Sequence, residues 1–238
     1  MCGINGIISK DKNKDKLIKS MNEKILHRGP DAEGIFVEGD VALGQRRLSI
    51  IDLAGGNQPI YNEDKSILIM YNGEVYNYKE LKEELTEYKF ETESDTEVVL
   101  HGYEEWGHDL PKKLRGMFAF IIWDRKKKKL FGARDMFGIK PFYYSKMGDT
   151  VLFASEIKAM LEHPAFHKEL NEEVLRLYLT FQFVPTDETF FKNVYCLPPA
   201  HYFIFDGENV RKVCYHPFDF CPDGSGSHQH MLEKKKKI

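Results

Sequence analysis

Cysteine is scarce in this sequence: four of the 238 residues are cysteines, irregularly spaced at Cys2, Cys196, Cys214 and Cys221. A small domain held together by disulfides is therefore excluded, because such domains are dense in cysteine. The last two cysteines and the histidines near them match no standard zinc spacing, so the sequence predicts no metal site. The first apolar stretch precedes the first lysine instead of following a basic segment, which argues against a secretory signal and favours a cytoplasmic location.

The sequence also lacks long apolar runs and an excess of charge of either sign. Its longest clean apolar run, Met117–Trp123, is far shorter than the ~20 residues that span a bilayer. With 34 basic and 37 acidic residues, the net charge is −3, which predicts neither nucleic acid nor a membrane surface as a partner. A glycine-rich phosphate loop is missing as well, since Gly224–His228 has the composition of a flexible linker.

What remains is the composition of a globular domain, 42% hydrophobic and 30% charged, in a chain long enough to bury a large core. Segments with strand character at 117–124, 129–134, 141–145 and 150–154 are joined by the short connections typical of antiparallel hairpins. Helical periodicity does not alternate regularly with these strands. The organisation predicts an α+β fold and disfavours a doubly wound parallel sheet.

Four more strands are predicted in the first third of the chain, over 2–9, 34–38, 40–51 and 66–71. The last of them is expected to end in a tight turn at Asn72-Gly73. Ser94 is predicted to cap a helix that runs through about residue 106, with Glu97 completing a capping box.

The most specific chemical feature is a cysteine directly after the first methionine. Removal of Met1 would give Cys2 a free α-amine, with a reference pKa of ~7.8, beside a thiol with a reference pKa of ~8.5. One residue would then carry a nucleophile and a base that both titrate near neutral pH. Taken alone, this feature favours the simpler interpretation, an accidental cysteine at position 2.

Three further positions are candidates for binding chemistry, each with an ordinary alternative. Arg47 begins an apolar segment and is a candidate clamp for a carboxylate, the alternative being a structural salt bridge. Asn72 and Gly73 are candidate donors to an oxyanion, the alternative being a simple hairpin turn. Asp95 is either a helix-capping residue or the acceptor for a substrate ammonium.

An ordered set of motifs resembles the class II glutamine amidotransferases and, within them, the glutaminase domain of glutamine-dependent asparagine synthetases. The motifs run in family order over nearly the whole chain and read CGINGI, HRGPD, RRLSIID, QPIYN, YNGEVYNYKEL, SDTEVVLHGYEEWG, GMFAFIIWD, ARDMFGIKPFYY and FASEIKAM. RRLSIID and GIKPFYY favour the asparagine synthetase branch over amidotransferases that act on sugar phosphates or phosphoribosyl diphosphate.

The resemblance implies the fold of N-terminal-nucleophile hydrolases, a four-layer αββα sandwich with two antiparallel sheets, over residues 2–215. Residues 216–238 are then a polar tail, predicted to be disordered. By the same resemblance, Cys2 is the nucleophile, Asn72 and Gly73 form the oxyanion hole, and Asp95 receives the ammonium of glutamine.

The resemblance also implies a set of contacts for the rest of the substrate. The glutamine carboxylate is expected at Arg47 and the backbone that follows it, with Glu74 lining the site; the backbone residues are Leu48, Ser49, Ile50 and Ile51. The implied reaction is hydrolysis of L-glutamine to glutamate and ammonia through a Cys2 thioester, and this half-reaction needs no metal or other cofactor.

In asparagine synthetases, ATP and Mg²⁺ serve a second domain, which begins with a Ser-Gly-Gly-x-Asp-Ser loop that this sequence does not contain. We therefore expect this chain alone to make no asparagine, and a synthetase domain or separate chain to accept the ammonia. The sequence leaves open whether the chain forms a homodimer. It also leaves open two other functions: a non-catalytic remnant that binds glutamine or a partner, and an amidotransferase module that feeds a different synthetase.

Overall fold

A computed structural model of the protein describes residues 1–50, 52 and 55–217. Twelve strands lie in this part of the chain: β1 (Gly3–Ile8), β2 (Ala32–Glu38), β3 (Val41–Arg47), β4 (Ile60–Tyr61), β5 (Ile67–Val75), β6 (Gly116–Asp124), β7 (Lys129–Arg134), β8 (Tyr143–Met147), β9 (Thr150–Ala154), β10 (Val194–Cys196), β11 (His201–Phe205) and β12 (Val210–Cys214). The α-helices are α1 (Lys14–Lys24), α2 (Tyr78–Glu84), α3 (Asp95–Trp106), α4 (Leu110–Lys113), α5 (Ile157–Met160) and α6 (Glu172–Phe181). Of the predicted tail, all but residues 216 and 217 lie outside the described residues, as does Cys221.

Within the described residues, the strands form two six-stranded sheets whose neighbours all pair antiparallel. The first sheet has the order β10-β8-β9-β1-β3-β2 and the second the order β12-β11-β7-β6-β5-β4. The hairpins β6–β7 and β8–β9 lie where the sequence predicts them. The predicted α+β class is confirmed, and β10 is a short strand that the sequence pattern did not indicate.

The two sheets pack face to face because their central strands are apolar on both faces. Along β5, Leu68 and Met70 point into the layer between the sheets, where they join Ile121 of β6 and Phe153 of β9. The alternate residues of β5, among them Tyr71, point to the opposite face and pack with α3. Because side chains alternate along a strand, this register places Tyr71 on the same side as the start of α3.

Helices cover the outer faces and complete four layers. Ile18 and Met21 of α1 pack on the outer face of the first sheet, together with Ala159 of α5. Val98 and Leu100 of α3 cover the second sheet. None of the described helices is long and apolar enough to cross a membrane.

The tight turn expected at Asn72-Gly73 is wrong. Strand β5 continues through both residues to Val75, with Asn72 paired with Ala119 and Gly73 with Phe118. Glycine is required here for close approach, because a Cβ on Gly73 would lie 2.5 Å from the carbonyl oxygen of Met117 on the partner strand. The Asn-Gly pair is therefore a crowded position inside a sheet.

The start of α3 confirms half of the predicted capping box. Ser94 Oγ accepts a hydrogen bond from the N–H of Thr96 and caps the helix. Glu97 does not reach back to Ser94; its carboxylate accepts from the backbone N–H groups of Glu91 and Thr92, at 2.8 and 2.7 Å. The segment before the helix is held in place by these bonds.

Candidate active site

One pocket collects nearly all of the residues that the sequence singles out. It has a volume of ≈ 210 Å³ and lies where β1, β3 and β5 meet the start of α3. This is smaller than the ~300–1,000 Å³ of pockets for drug-sized ligands and fits a ligand of amino-acid size. The predicted residues that line it are Cys2, Arg47, Leu48, Ile50, Asn72, Gly73, Glu74 and Asp95. Ser49 is not among the lining residues, and Ile51 lies outside the described residues.

Cys2 is half-buried at the pocket wall, immediately before β1. Its Sγ lies 3.4 Å from the backbone nitrogen of Leu48, which donates to it, and 3.5 Å from the carbonyl oxygen of the same residue. Gly3 pairs with Arg46 of β3, so the sheet register brings the thiol beside the segment that follows β3. The position of the Cys2 thiol is thus set by strand pairing.

The HRGPD segment anchors both Cys2 and the end of β3. Arg28 donates through Nε to the carbonyl oxygen of Cys2 at 2.9 Å and through Nη1 to Glu156 at 3.0 Å. Asp31 accepts a hydrogen bond from the N–H of Ser49 at 2.8 Å. A Cβ on Gly29 would lie 2.4 Å from backbone atoms of the β3 terminus, so only glycine fits there. No chemical role is predicted for this motif from the sequence, and its contacts with Cys2 and Ser49 explain why it lies near the pocket.

Arg47 is 4% exposed and holds the segment after β3 through its forked guanidinium. Its Nη1 donates to Asn57 Oδ1 at 2.8 Å, and its Nη2 donates to the carbonyl oxygen of Asp52 at 2.5 Å. Strand β3 ends at Arg47, earlier than the predicted residue 51, because the chain then turns along the pocket. Arg47 therefore combines a structural role with a position in the wall where it can meet a carboxylate.

Asn72 presents an unused hydrogen-bond donor. The residue is 1% exposed, and its Nδ2 has no hydrogen-bond partner within the described part of the chain. Buried amide donors without a partner are rare, because desolvating them costs free energy. An oxyanion that forms beside Cys2 would supply the missing acceptor. Glu74, two residues further along β5, is half-buried in the same wall.

Asp95 is a buried carboxylate that does not cap α3, since Ser94 has that role. Its Oδ2 accepts from Tyr71 Oη at 2.7 Å and from the N–H of Val75 at 2.9 Å. Burial raises the pKa of Asp95, and the nearby charge of Glu74 raises it further. The hydrogen bonds from Val75 and Tyr71 favour the ionised form and oppose this increase. An ammonium group would stabilise this anion, which makes Asp95 a suitable acceptor for one.

Sequence reasoning missed several residues of the pocket, among them Gln58, Tyr71 and Lys140. Gln58 makes a paired contact with the backbone of Tyr71, whose N–H donates to Oε1 at 2.6 Å and whose carbonyl accepts from Nε2 at 3.2 Å. Lys140 is buried to 4% exposure, and its Nζ lies 3.2 Å from Met1 Sδ. Tyr71 and Lys140 both lie in apolar segments of the sequence. A side chain that ends in a polar group within such a segment is the signal that could have indicated these residues.

The described residues contain no group of three or more His, Cys, Asp or Glu side chains arranged to hold a metal ion. The pocket itself offers a thiol, amide and guanidinium donors and carboxylates. These groups suit the recognition of a polar, zwitterionic molecule.

Comparison with known proteins assigns this arrangement to a family. The model of the glutamine amidotransferase domain matches residues 1–216. The chain is 44% identical over 224 residues to glutamine-hydrolysing asparagine synthetase 1 of Bacillus subtilis, covering 90% of this chain and 35% of that protein. It is 40% identical over 263 residues to a putative glutamine-hydrolysing asparagine synthetase 2 of Methanocaldococcus jannaschii, covering 100% of this chain and 49% of that protein. The chain thus spans between about a third and a half of the length of these curated relatives.

A solved structure confirms the predicted fold. The glutamine phosphoribosylpyrophosphate amidotransferase of Bacillus subtilis, complexed with ADP and GMP, superposes with a TM-score of 0.66. The match covers 90% of this chain and 49% of that one, at 22% sequence identity. At this identity, the likeness concerns the fold alone. The resemblance to the glutaminase part of asparagine synthetases is confirmed by the family model and the curated relatives together.

Proposed function

This chain belongs to the family of glutamine amidotransferase domains, and on that premise we propose that its pocket hydrolyses L-glutamine to glutamate and ammonia, with Cys2 as the nucleophile. The observation that carries the proposal is the grouping of three complementary features around one thiol. A guanidinium at Arg47, a buried carboxylate at Asp95 and an unused amide donor at Asn72 line the same small cavity as Cys2.

The charges at the pocket match the backbone end of an amino acid. Asp95 accepts the α-ammonium and Arg47 the α-carboxylate, with the N–H groups after β3 in support. An ammonium also lowers the free energy of the Asp95 anion, which burial disfavours. With that end fixed, the side-chain amide of glutamine is directed at Cys2.

The chemistry begins with removal of Met1, which exposes the α-amine of Cys2. The amine takes the thiol proton as the sulfur attacks the side-chain carbonyl carbon of glutamine. Asn72 Nδ2 and the Gly73 N–H stabilise the oxyanion. The protonated amine then donates to the departing nitrogen, which leaves as ammonia.

Water completes the cycle by attacking the γ-glutamyl thioester, with the Cys2 amine again as base. The same donors stabilise the second oxyanion, and glutamate leaves with Cys2 restored. All proton transfers occur at the Cys2 amine, so this half-reaction uses no metal and no other cofactor.

The curated relatives suggest what receives the ammonia. Because they are glutamine-hydrolysing asparagine synthetases, we propose that this chain supplies ammonia for asparagine synthesis in the cytoplasm, with a synthetase domain or chain as acceptor. ATP and Mg²⁺ would act at that acceptor. Self-association into a homodimer remains a prediction.

The test is labelling with a glutamine analogue whose side chain ends in an electrophile, followed by peptide mapping. We expect one label, at Cys2, in protein whose N terminus mass spectrometry shows to be free of Met1. The matched controls are Cys196→Ser and Cys214→Ser, which should leave labelling and ammonia release unchanged, whereas Cys2→Ser should abolish both. Labelling mainly at Cys196 or Cys214, or a Cys2→Ser variant that still releases ammonia, contradicts the proposal.

A further inference from the structure

Lys140 is a buried cation for which the mechanism above has no use. It follows a loop after β7, is 4% exposed and lines the pocket that contains Cys2. Its Nζ has one hydrogen-bond contact, with the thioether of Met1 at 3.2 Å. No carboxylate of the described residues lies within ion-pair distance of it. A buried lysine without an acidic partner is costly, so its retention at this place calls for an explanation.

The loop that carries Lys140 is held rigidly. Asp135 accepts through Oδ1 from the N–H groups of Phe137 and Ile139, and through Oδ2 from that of Lys140 itself at 2.9 Å. Arg134 Nε donates to the carbonyl oxygen of Lys140 at 2.7 Å. The backbone of Lys140 is thus fixed on both sides, and Asp135 is committed to N–H groups instead of to the ammonium.

Other charged groups lie near the N terminus, but within the described residues none of them forms an ion pair with Lys140. Arg28, which binds the Cys2 carbonyl, is paired with Glu156. Glu74 of β5 lines the pocket and acts on Lys140 only through its charge, as Asp135 does. Burial lowers the pKa of Lys140, the Arg28 charge lowers it further, and the charges of Cys2, Asp135 and Glu74 oppose this. Arg47 and Asp95 line the same pocket.

We infer that Lys140 is a positioning residue for the N-terminal nucleophile: once Met1 is removed, its ammonium faces the Cys2 α-amine and keeps that amine neutral. The inference rests on the proposed function for its kinetic consequences. Removal of Met1 takes away the thioether that contacts Nζ and creates a titratable amine in the adjacent residue. Two ammonium groups in a desolvated pocket repel each other, and the amine with the lower reference pKa loses its proton first.

The consequence is a base that works at and below neutral pH. In the catalytic step, the thiol proton of Cys2 moves to the α-amine nitrogen, which must therefore carry a lone pair. Without a neighbouring cation, an α-amine of reference pKa ~7.8 is mostly protonated at pH 7. A like charge in the same desolvated pocket is expected to lower that pKa by about one unit, so that most of the amine is neutral at pH 7.

The experiment compares Lys140→Met, which removes the charge at similar volume, with Lys140→Arg, which keeps it. Lys146→Met, an exposed lysine on β8, is the matched control for loss of one lysine. In Lys140→Met, the acid limb of the kcat/KM profile for glutamine should move up by about one pH unit, giving an approximately tenfold loss near pH 6.5 and little loss above pH 9. Lys140→Arg and Lys146→Met should keep the wild-type profile.

A second readout does not depend on glutaminase activity. In mature protein labelled with ¹⁵N-cysteine, Cys2 is the cysteine whose nitrogen is an amine, so its resonance reports the amine pKa directly. That pKa should rise by about one unit in Lys140→Met and stay unchanged in Lys140→Arg. If Lys140→Met does not fold, Lys140→Gln provides the same comparison.

Two results overturn the inference: an amine pKa that is the same in wild type and Lys140→Met, or a Lys140→Arg variant that behaves like Lys140→Met. The second result would show that the lysine acts through a proton of its own and not through its charge. If mature wild-type protein does not hydrolyse glutamine, the proposed function fails, and the amine titration still decides the role of Lys140.

Discussion

Asp95→Asn separates binding from folding at this site more clearly than any other substitution. The asparagine carbonyl oxygen can accept the same two hydrogen bonds that Oδ2 of Asp95 accepts from Tyr71 and Val75. Shape and hydrogen bonds are therefore retained, and only the negative charge is lost. Because the charge is what the substrate ammonium requires and what burial disfavours, binding and stability should change in opposite directions.

The expected loss of binding follows from the strength of a hydrogen bond to a charged group, about 1.5–3 kcal/mol. KM for glutamine should rise roughly 10- to 150-fold, measured by ammonia release at pH 7. Stability should increase at the same pH. Burial raises the folded-state pKa of Asp95, so the ionised residue destabilises the fold as pH rises through that pKa. The gain in Tm should disappear below the reference pKa of 3.8, where Asp95 is protonated in both states.

Asp149→Asn is the matched control, because Asp149 is an exposed aspartate in the turn between β8 and β9. It should alter neither KM nor Tm. An unchanged KM in Asp95→Asn would refute the assignment of Asp95 as ammonium acceptor. A lower Tm of Asp95→Asn at pH 7 would refute the argument that its charge destabilises the fold.

Three further substitutions test other parts of the site and the fold. Asn72→Ala should lower kcat for glutamine about 10²–10³-fold with little change in KM, because the donor acts on the oxyanion only. A rise in KM as large as the fall in kcat would contradict this. Arg47→Lys keeps the charge but loses the fork, so glutamine affinity measured by calorimetry should fall about ten- to hundredfold, whereas unchanged affinity would leave Arg47 a purely structural residue. Burial alone would lower the pKa of His101, but its hydrogen bond to Glu104 and its ion pair with Glu97 outweigh this and raise the pKa to about 9. The stabilisation of the fold by protonated His101 is complete below the reference pKa of 6.5 and is lost as pH rises through about 9. The fall in Tm between these pH values should therefore be smaller in His101→Gln than in the wild type. An equal fall in both proteins would show that other groups cause the pH dependence.

The elements that sequence predicts well are those whose signals are local. The hairpins β6–β7 and β8–β9 are read from alternating apolar residues and short turns, and Ser94 is read as a cap from its own neighbourhood. The predicted turn at Asn72-Gly73 is wrong because the local sequence pattern is the same for a turn and for a crowded strand. What distinguishes them is Phe118 on β6, whose approach leaves no room for a Cβ on Gly73.

The composition of the site depends on contacts that no local pattern contains. Tyr71 and Asp95 meet because alternation along β5 directs Tyr71 towards α3, and this follows only from how the strand is buried on both faces. Lys140 reaches Met1 from a distant part of the chain through the pairing of the first sheet. The sequence motifs pointed to Cys2, Arg47 and their family role by resemblance, whereas the partners that orient and tune them required the structure.

Three of the described groups around Cys2 share one physical property, which is that each is less stable where it lies than it would be in water. Asp95 is a buried anion, Lys140 is a buried cation, and Nδ2 of Asn72 is a buried donor without a partner among the described residues. A folded chain retains such groups only if the rest of the core compensates for them, which the two continuous sheets do. In the proposed reaction, the ammonium of glutamine would satisfy the anion, an oxyanion on its side chain would satisfy the donor, and a neutral N-terminal amine would tolerate the cation. Because the donor is satisfied only when the carbonyl becomes tetrahedral, its free-energy gain falls on the transition state, and this selectivity is what turns a binding pocket into a catalytic one.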